Sequence, residues 1–319
     1  MAMNLTRWRP SATIETLRRR AAILGHIRSF FNARGYLEVD TPVMAQFGVT
    51  DVYLTNIEAQ FRGKSYYLQT SPEYHMKRLL AAGSGPIFQL ARVFRDDELG
   101  RWHNPEFTLL EWYQLDIDHI ALMDEVDVLL QTILACGPMR RQTYQHLFSE
   151  VCGFDPLTAE LSELKQALRR FELQNVLTAE ESDRDQYLFL LMSHVVEPKL
   201  ANEAVPVAVY HFPPSQAALA QIKHGVAERF EVYFRGVELA NGFHELTDAA
   251  IQGARFENDR VTRRQQGFAE RAPDEYFLQA LNHGLPSCSG VALGIDRLLA
   301  LALEQSSLAS VMAFDFSNA

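Results

Sequence analysis

The chain has 319 residues, of which 47% are hydrophobic and 22% are charged, and its formal net charge is −10. This composition is ordinary for a globular protein with a large core, and the acidic balance argues against a protein that mainly grips a long polynucleotide. Because the N-terminal residues lack the apolar core of a signal peptide, and no apolar run approaches the ~18 residues that span a bilayer, we expect a soluble intracellular protein.

The first predicted element is a helix with Ser11 as its N-cap, in which apolar residues recur at three- and four-residue spacing over 14–31. Four arginines share it: Arg18, Arg19, Arg20 and Arg28. We interpret them as a solvated face, with a binding patch as the alternative. Residues 36–40 then predict a strand that ends before Pro42, a residue that suits a sheet edge or a subunit boundary.

A second helix is predicted where Ser71 precedes Pro72, since proline suits the first helical turn. Glu73 falls in that turn, where the helix dipole favours a carboxylate. Taken alone, Glu73 is therefore a capping residue.

Residues 92–113, RVFRDDELGRWHNPEFTLLEWY, organise the chain. Apolar segments on both sides predict two antiparallel strands. The connection is long and dense in charge, whereas ordinary hairpin loops are short and based on Gly or Asn. We interpret it as a binding loop.

Residues 140–203 are mostly helical in pattern and hold no chemical constellation. We interpret them as a structural or partner-binding insertion within a single domain that spans residues 1–319. Strands return at 205–210, 229–234 and 237–245, Thr247 caps a long helix, and a glycine-rich segment at 288–297 leads into a last helix. One α+β body is the economical architecture.

Two acidic residues, Glu231 and Glu238, lie seven positions apart around a turn at Gly236. On one sheet face they would repel each other unless a cation lay between them, and Mg²⁺ prefers such oxygens together with phosphates. Two solvated strand residues are the alternative. With Arg95 and Arg297 as phosphate donors, they indicate a nucleotide triphosphate site, although neither a P-loop nor a Rossmann fingerprint is present.

A second acidic set suits an amine-bearing ligand, through charge pairing and cation–π contact. Its members are Glu73, Glu111 and Glu245, with Tyr113, Asn241 and Phe243. The set predicts a site for a basic amino acid.

In their order along the chain, these motifs resemble the catalytic domain of the class II aminoacyl-tRNA synthetases, and among them that of the lysyl-tRNA synthetases. The segments that carry the resemblance are the helix and strand ending at Pro42, TSPEYHMKRL, FRDDELGRWHNPEF, GVELANGFHELTD and SGVALGIDR. They cover nearly the whole chain. The resemblance implies a six-stranded antiparallel sheet flanked by helices, a homodimer, and the use of ATP and Mg²⁺ to form an aminoacyl-adenylate.

The resemblance also implies residue roles, with Arg95 and Arg297 catalytic and Glu231 and Glu238 binding Mg²⁺. The implied ATP-binding residues are Arg95, Asp96, Asp97, His103, Asn104, Phe107, Glu238, Leu239, Gly294 and Arg297. The implied residues around the amino acid are Ser71, Pro72, Glu73, Glu111, Tyr113, Asn241, Phe243, Glu245 and Ala292. The family's glutamate that contacts adenine falls at Asp97, whose side chain is one methylene shorter. The resemblance therefore assigns the adenine contact to either Asp97 or Glu98.

The sequence departs from the lysyl-tRNA synthetase pattern at two points, one of which concerns the acceptor and the other the amino acid. Only about ten residues precede the first helix, where lysyl-tRNA synthetases carry an anticodon-binding barrel, so tRNA is not the expected acceptor. Ala292 replaces the usual glycine, and one methyl on a pocket wall discriminates by ~1–3 kcal/mol. Both departures favour the lysyl-tRNA synthetase paralogues that attach (R)-β-lysine to a lysine of elongation factor P. Ordinary lysine is the alternative amino acid substrate. A tRNA-charging enzyme and a non-catalytic lysine sensor are the alternatives.

Overall fold

The computed structural model describes residues 8–96, 99–178 and 180–319. Their contacts divide the chain into two compact units. Unit one takes in the residues up to 117 together with 132–135 and 246–319, and unit two takes in 118–131 and 136–245. The organisation as one domain with an insertion stays a prediction.

The helices in the described residues follow the predicted periodicity closely. They are α1 Ile14–Asn32, α2 Glu73–Ala81, α3 His119–Leu134, α4 Tyr144–Cys152, α5 Leu161–Arg170, α6 Arg184–Leu191, α7 Glu197–Leu200, α8 Ala249–Gln265, α9 Glu275–Gly284 and α10 Ile295–Ala302. None of them combines the length and the apolar character that a transmembrane helix needs. Between α6 and α7 the chain forms a π-helical turn at Met192–Val196.

The strands in the same residues include the two long ones predicted around the charged loop. They are β1 Leu37–Glu38, β2 Met44–Ala45, β3 Glu58–Phe61, β4 Lys64–Leu68, β5 Ile87–Phe94, β6 Glu106–Leu115, β7 Arg140–Thr143, β8 Val207–Phe212, β9 Ile222–Lys223, β10 Val226–Phe234, β11 Val237–His244 and β12 Cys288–Gly294.

Unit one contains a sheet in the order β1-β5-β6-β12, in which β1 runs parallel to β5 and the other pairs are antiparallel. A smaller sheet has the order β2-β4-β3. Helix α1 packs against the large sheet through Phe31, whose ring stacks on Phe88 at 4.7 Å and also contacts Trp112. This aromatic core fixes β5 and β6, the strands on both sides of the charged loop.

Unit two contains the strand order β11-β10-β8-β7, with β9 paired to β10. The pair β7–β8 is parallel and the other pairs are antiparallel. Helices α4, α5 and α6 bury apolar side chains in a core that includes Tyr144, Phe148 and Phe212.

The α+β class with an antiparallel sheet framework and flanking helices is confirmed, and the strand count is larger than predicted. Residues 8–96, 99–178 and 180–319 contain six long antiparallel strands, which are β5, β6 and β12 in unit one and β8, β10 and β11 in unit two. The described residues add the short strands β1, β7 and β9 to these sheets.

Two predicted helix caps are wrong by one or two residues. The N-cap of α1 is Thr13, whose hydroxyl accepts from the backbone N–H of Thr16 at 3.1 Å. Ser11 instead donates to Asp315 at 2.7 Å. Helix α8 is capped by Asp248 rather than by Thr247.

Candidate active site

In unit one, Glu111 on β6 forms the centre of a buried polar network. It is 1% exposed. The Tyr113 hydroxyl donates to one carboxylate oxygen and the Ser71 hydroxyl donates to the other, each at 2.7 Å. Burial and the nearby charge of Glu73 raise the pKa of Glu111 to about 7, although the two hydrogen bonds and Lys77 oppose that rise. Two predicted pocket residues, Glu111 and Tyr113, are therefore in direct contact.

Glu73 lies in the first turn of α2, directly after Pro72, and Ser71 accepts a hydrogen bond from its backbone N–H at 3.0 Å. Its carboxylate forms an ion pair with Lys77 at 2.6 Å, and the Lys77 side chain is only 1% exposed. Lys77 was not among the predicted residues. The spacing of four residues between Glu73 and Lys77 in TSPEYHMKRL is the signal that could have found it.

The register of the sheet in unit one sets Ala292 directly opposite Glu111, with Gln89 opposite Glu111 on its other side. Directly opposed residues project from the same face, with Cβ atoms about 4.5–5.5 Å apart. Gly290 and Gly294 flank Ala292 on this face, and neither carries a side chain. The methyl group of Ala292 therefore lies on the same sheet face as the Glu111 side chain, next to it. Gln89 was missed: it is 3% exposed and its side-chain oxygen accepts no hydrogen bond.

Arg95 follows the end of β5, and its guanidinium lies 5.1 Å from the ring centroid of Phe107 at the start of β6. Its backbone N–H donates to Pro105 across the hairpin at 2.9 Å. The predicted phosphate-binding cation Arg95 and Phe107, a second predicted ATP-binding residue, are thus neighbours. Asp96 is exposed, and its backbone N–H donates to Thr55.

The Arg297 side chain on α10 contacts the charged loop at two points. Its Nε donates to the Trp102 carbonyl at 3.1 Å, and its Nη2 donates to His103 Nε2 at 2.7 Å. Gly294 caps the helix, and a Cβ at this position would come within 3.6 Å of the Arg297 side chain. Arg297 and His103, both predicted to bind ATP, are therefore held together.

Asn104 is 6% exposed, and its amide is engaged by the backbone. Its NH₂ group donates to the Glu106 carbonyl at 2.5 Å, and its oxygen accepts from Phe316 N–H at 3.0 Å. The structure gives Asn104 a role in shaping the loop. The predicted roles of Asp97 and Glu98 fall outside the described residues.

Asp296, next to Arg297, was not among the predicted residues. It is 2% exposed, accepts from Thr108 N–H at 2.7 Å and forms an ion pair with Arg20 at 2.5 Å. Arg20 also donates to the Thr108 hydroxyl and to the Val311 carbonyl. The interpretation of Arg20 as part of a solvated face is therefore wrong. Arg20 belongs to a buried hydrogen-bond network with Asp296 and Thr108, and this network holds the first turn of α10 in place.

Replacing Arg20 with alanine should lower the free energy of unfolding by about 3–5 kcal/mol, because the Asp296 carboxylate would stay buried without its partner. Arg28 on the same helix is the matched control, since its ion pair with Glu38 is half exposed. Its replacement with alanine should cost about 1 kcal/mol or less. Urea denaturation of both variants measures the difference, and equal losses would contradict the assigned network.

In unit two, Glu231 on β10 is held by two neighbours on its own strand. Arg229 donates to one carboxylate oxygen and the Tyr233 hydroxyl donates to the other. Burial, together with the charges of Glu231 and Glu238, raises the pKa of Tyr233 well above 10, so it stays a donor. Arg229 and Tyr233 were missed, although both alternate with Glu231 along the strand.

Glu231 and Glu238 both line a cavity of about 440 Å³ in unit two, which also contains Glu197. A register shift after Val232 sets Glu238 opposite Tyr233. The lining thus includes three carboxylates together with Tyr233 and Arg229, and carboxylate oxygens are the ligands that a hard divalent cation prefers. Leu239 lies at the register shift and is only 2% exposed, so it can offer a ligand little beyond its backbone.

The remaining predicted residues of unit two lie on β11 or directly after it. Asn241 pairs with Glu231 across the strands and accepts from Arg229 Nε at 3.2 Å. The ring of Phe243 lies 5.9 Å from the Arg229 guanidinium. Glu245 is 1% exposed. Arg229 thus connects several of the predicted residues of this unit.

Comparison with known proteins gives one family and a set of full-length relatives. A family model described as "tRNA synthetases class II (D, K and N)" matches residues 1–317. A protein of Pasteurella multocida (strain Pm70), named "Elongation factor P--(R)-beta-lysine ligase", is 54% identical over 98% of both chains. Proteins of the same name from Hamiltonella defensa subsp. Acyrthosiphon pisum (strain 5AT) and Edwardsiella ictaluri (strain 93-146) are each 53% identical, over 98% and 99% of both chains.

Proposed function

Because this chain belongs to the class II tRNA synthetases of the D, K and N type, we propose that it is an AMP-forming ligase. It activates (R)-β-lysine with ATP and transfers it to a lysine of elongation factor P. Relatives that carry this activity in their names match nearly the whole chain at 53–54% identity. The observation that carries the proposal is the buried Glu111 network with Ala292 directly opposite it.

The reaction requires no nucleophile from the protein. The substrate carboxylate attacks the α-phosphorus of ATP, and pyrophosphate leaves. The acceptor amine then attacks the carbonyl carbon of the adenylate, loses a proton and releases AMP. Arg95 and Arg297 serve as the cations that stabilise the charge developing on phosphate oxygens, and the other residues position the reactants.

We assign the Mg²⁺-binding role to Glu231 and Glu238, supported by the cavity that both residues line. The ion, when bound, neutralises charge on the phosphates. Arg229 and Tyr233 orient Glu231 through their hydrogen bonds, so this carboxylate is held in place by the protein itself.

Glu111 and Glu73 are assigned to an amine group of the amino acid, and Ala292 to its discrimination. Replacing Ala292 with glycine should narrow the preference for (R)-β-lysine over lysine by about tenfold or more, because one methyl in a pocket carries that much discrimination. The measurement is pyrophosphate exchange with each amino acid. Ala91→Gly is the control, since Ala91 belongs to the same apolar cluster as Ala292 but is opposite Leu109. If the ratio of exchange rates with (R)-β-lysine and lysine is unchanged in the Ala292 variant, Ala292 has no role in discriminating the two amino acids.

The overall proposal is tested by incubating the protein with Mg-ATP, (R)-β-lysine and elongation factor P and measuring the mass of the factor. A gain equal to one β-lysyl group supports it, and adenylate formation without transfer contradicts it. Since the family model is named for tRNA ligation, the parallel reaction with tRNA is the second arm. Charging of tRNA without modification of the factor would favour the alternative function.

We further propose that the protein acts as a homodimer in the cytoplasm, where a translation factor would be modified. Exposed apolar side chains around β1 and β2 support the dimer, among them Leu37, Val43 and Met44. Exposed apolar surface, where it is contiguous, marks contacts between subunits. Light scattering of the purified protein tests the oligomeric state, and a monomer at assay concentration would contradict it.

A further inference from the structure

A cluster of two histidines and one glutamate in unit two has no part in the proposed reaction. His119 is the first residue of α3, Glu228 lies in β10, and His244 ends β11. One possible ligand atom from each lies within 4.8 Å of the other two. In the described part of the chain, no other group of three or more His, Cys, Asp and Glu residues meets this criterion.

The backbone holds Glu228 and His244 at a fixed spacing. Gln221 N–H donates to the His244 carbonyl at 2.8 Å, and Glu228 N–H donates to the Gln221 carbonyl at 2.9 Å. The two side chains meet directly, with 2.5 Å between His244 Nδ1 and Glu228 Oε2. Lys223 approaches the same oxygen at 3.2 Å. This carboxylate therefore already attracts positive partners.

His119 supplies a separate observation that points to a ligand. The residue is 2% exposed, and neither ring nitrogen has a hydrogen-bond partner. The ring of His211 packs against it at 5.1 Å but satisfies neither nitrogen. Buried polar groups are nearly always paired, because an unmade hydrogen bond is costly. An imidazole in this state has a lone pair available for a metal ion.

We propose that His119, Glu228 and His244 form a binding site for a divalent cation of the zinc type. Two imidazoles and one carboxylate are a donor set that zinc uses in proteins, with a fourth position open to water. Bond lengths of about 2.0–2.2 Å in a tetrahedron place ligand atoms roughly 3.3 Å apart. Rotation of His119, whose ring no hydrogen bond restrains, can bring its nitrogen inward from the present spacing.

The position of the three ligands assigns the ion a structural effect. It joins the first turn of α3 to the two neighbouring strands β10 and β11, all within unit two. An ion that binds the folded chain and not the unfolded one stabilises the fold by mass action. In the bound state it replaces Lys223 and the His244–Glu228 hydrogen bond as the partner of the carboxylate.

The test starts from full-length protein freed of metal by a chelator and then dialysed against Zn²⁺ in excess Mg²⁺. We expect one zinc per chain by elemental analysis, a raised Tm, and a tetrahedral absorption band when Co²⁺ is used. His119→Phe and His244→Gln should each weaken Zn²⁺ binding at least tenfold and abolish the rise in Tm. The Tm without metal shows whether each variant is folded. His119 lies on α3 and His244 on β11, so if one variant fails to fold, the other still measures the loss of zinc binding.

Two controls locate the ion. His283→Ala removes an exposed histidine and should leave zinc binding unchanged. Glu238→Gln should also leave it unchanged, because Glu238 lines the acidic cavity and is not one of the three ligands. The proposal would be overturned if the wild-type chain retained no zinc. It would also be overturned if the His119 and His244 variants both retained as much zinc as the wild-type chain, or if Glu238→Gln lost zinc.

Discussion

Changing Glu111 to glutamine is expected to lower kcat/KM for amino acid activation by about 100-fold or more, largely through KM. Glutamine keeps the size of the side chain but removes the negative charge that the substrate ammonium would meet in a buried site. Truncating one partner of a buried charge pair costs about 3–5 kcal/mol, and each 1.4 kcal/mol corresponds to about tenfold. Pyrophosphate exchange at varied amino acid concentration measures the loss.

Glu106→Gln makes the same chemical change on the same strand at an exposed position, where Glu106 forms only a loose ion pair with Arg92. It should leave kcat/KM within about twofold, as expected for surface pairs. If both variants lose activity equally, the pocket role of Glu111 is refuted.

The raised pKa of Glu111 predicts a pH dependence of stability. Burial raises the pKa to about 7 from an ordinary value of 4.5, so the folded chain holds a proton that the unfolded chain releases. The contribution of Glu111 is fully present below pH 4.5 and is lost as the pH rises through 7. Denaturation of the ligand-free protein should show this loss, and Glu111→Gln should flatten it. Below pH 7, binding of the ammonium ligand should also release a proton, measurable by calorimetry in two buffers.

The second large effect is expected for Arg95→Ala, which should lower kcat for adenylate formation by about 10²–10³-fold. Donors aimed at developing negative charge contribute this much in other enzymes, and Arg95 is the cation next to Phe107 at the end of β5. The KM for the amino acid should change little, because the arginine is assigned to phosphate. Single-turnover formation of the adenylate separates this step from product release.

Arg92→Ala is the control for Arg95. Arg92 lies three residues earlier, on β5, and its side chain is half exposed beside Glu106. Normal adenylate formation by the Arg92 variant, together with the loss in the Arg95 variant, would assign the effect to position 95. A loss confined to the KM for the amino acid in Arg95→Ala would contradict its role at phosphate.

The elements set by local pattern were predicted well from the sequence. The strands on both sides of the charged loop follow from their apolar residues. Helix α2 begins at Glu73, one residue later than predicted, because Pro72 is its N-cap and not its first helical residue. The α+β class follows from the same patterns. These features depend on residues that are neighbours in the chain, so the sequence contains the information directly.

The errors come from contacts between distant positions. Ser11 could have capped α1, but its hydroxyl binds Asp315, 304 residues away. Arg20 resembles the other arginines of its helix, yet only Arg20 reaches Asp296, 276 residues away. No local pattern contains these partners. The role of Lys77 was readable in principle, because its spacing from Glu73 is that of a helical ion pair.

Lys77 has a consequence for the charge balance of the proposed amine site around Glu73 and Glu111. Two glutamates without it would bring two negative charges into a buried space, and their repulsion would oppose folding. With the lysine in place, Glu73, Glu111 and Lys77 together sum to at most one negative charge. One incoming ammonium then restores neutrality, so a ligand with one amine in this pocket matches its electrostatic capacity. An amino acid with a neutral side chain would leave Glu111 either protonated or without a positive partner. The net charge of the site therefore selects for an amine-bearing ligand independently of the shape of the site.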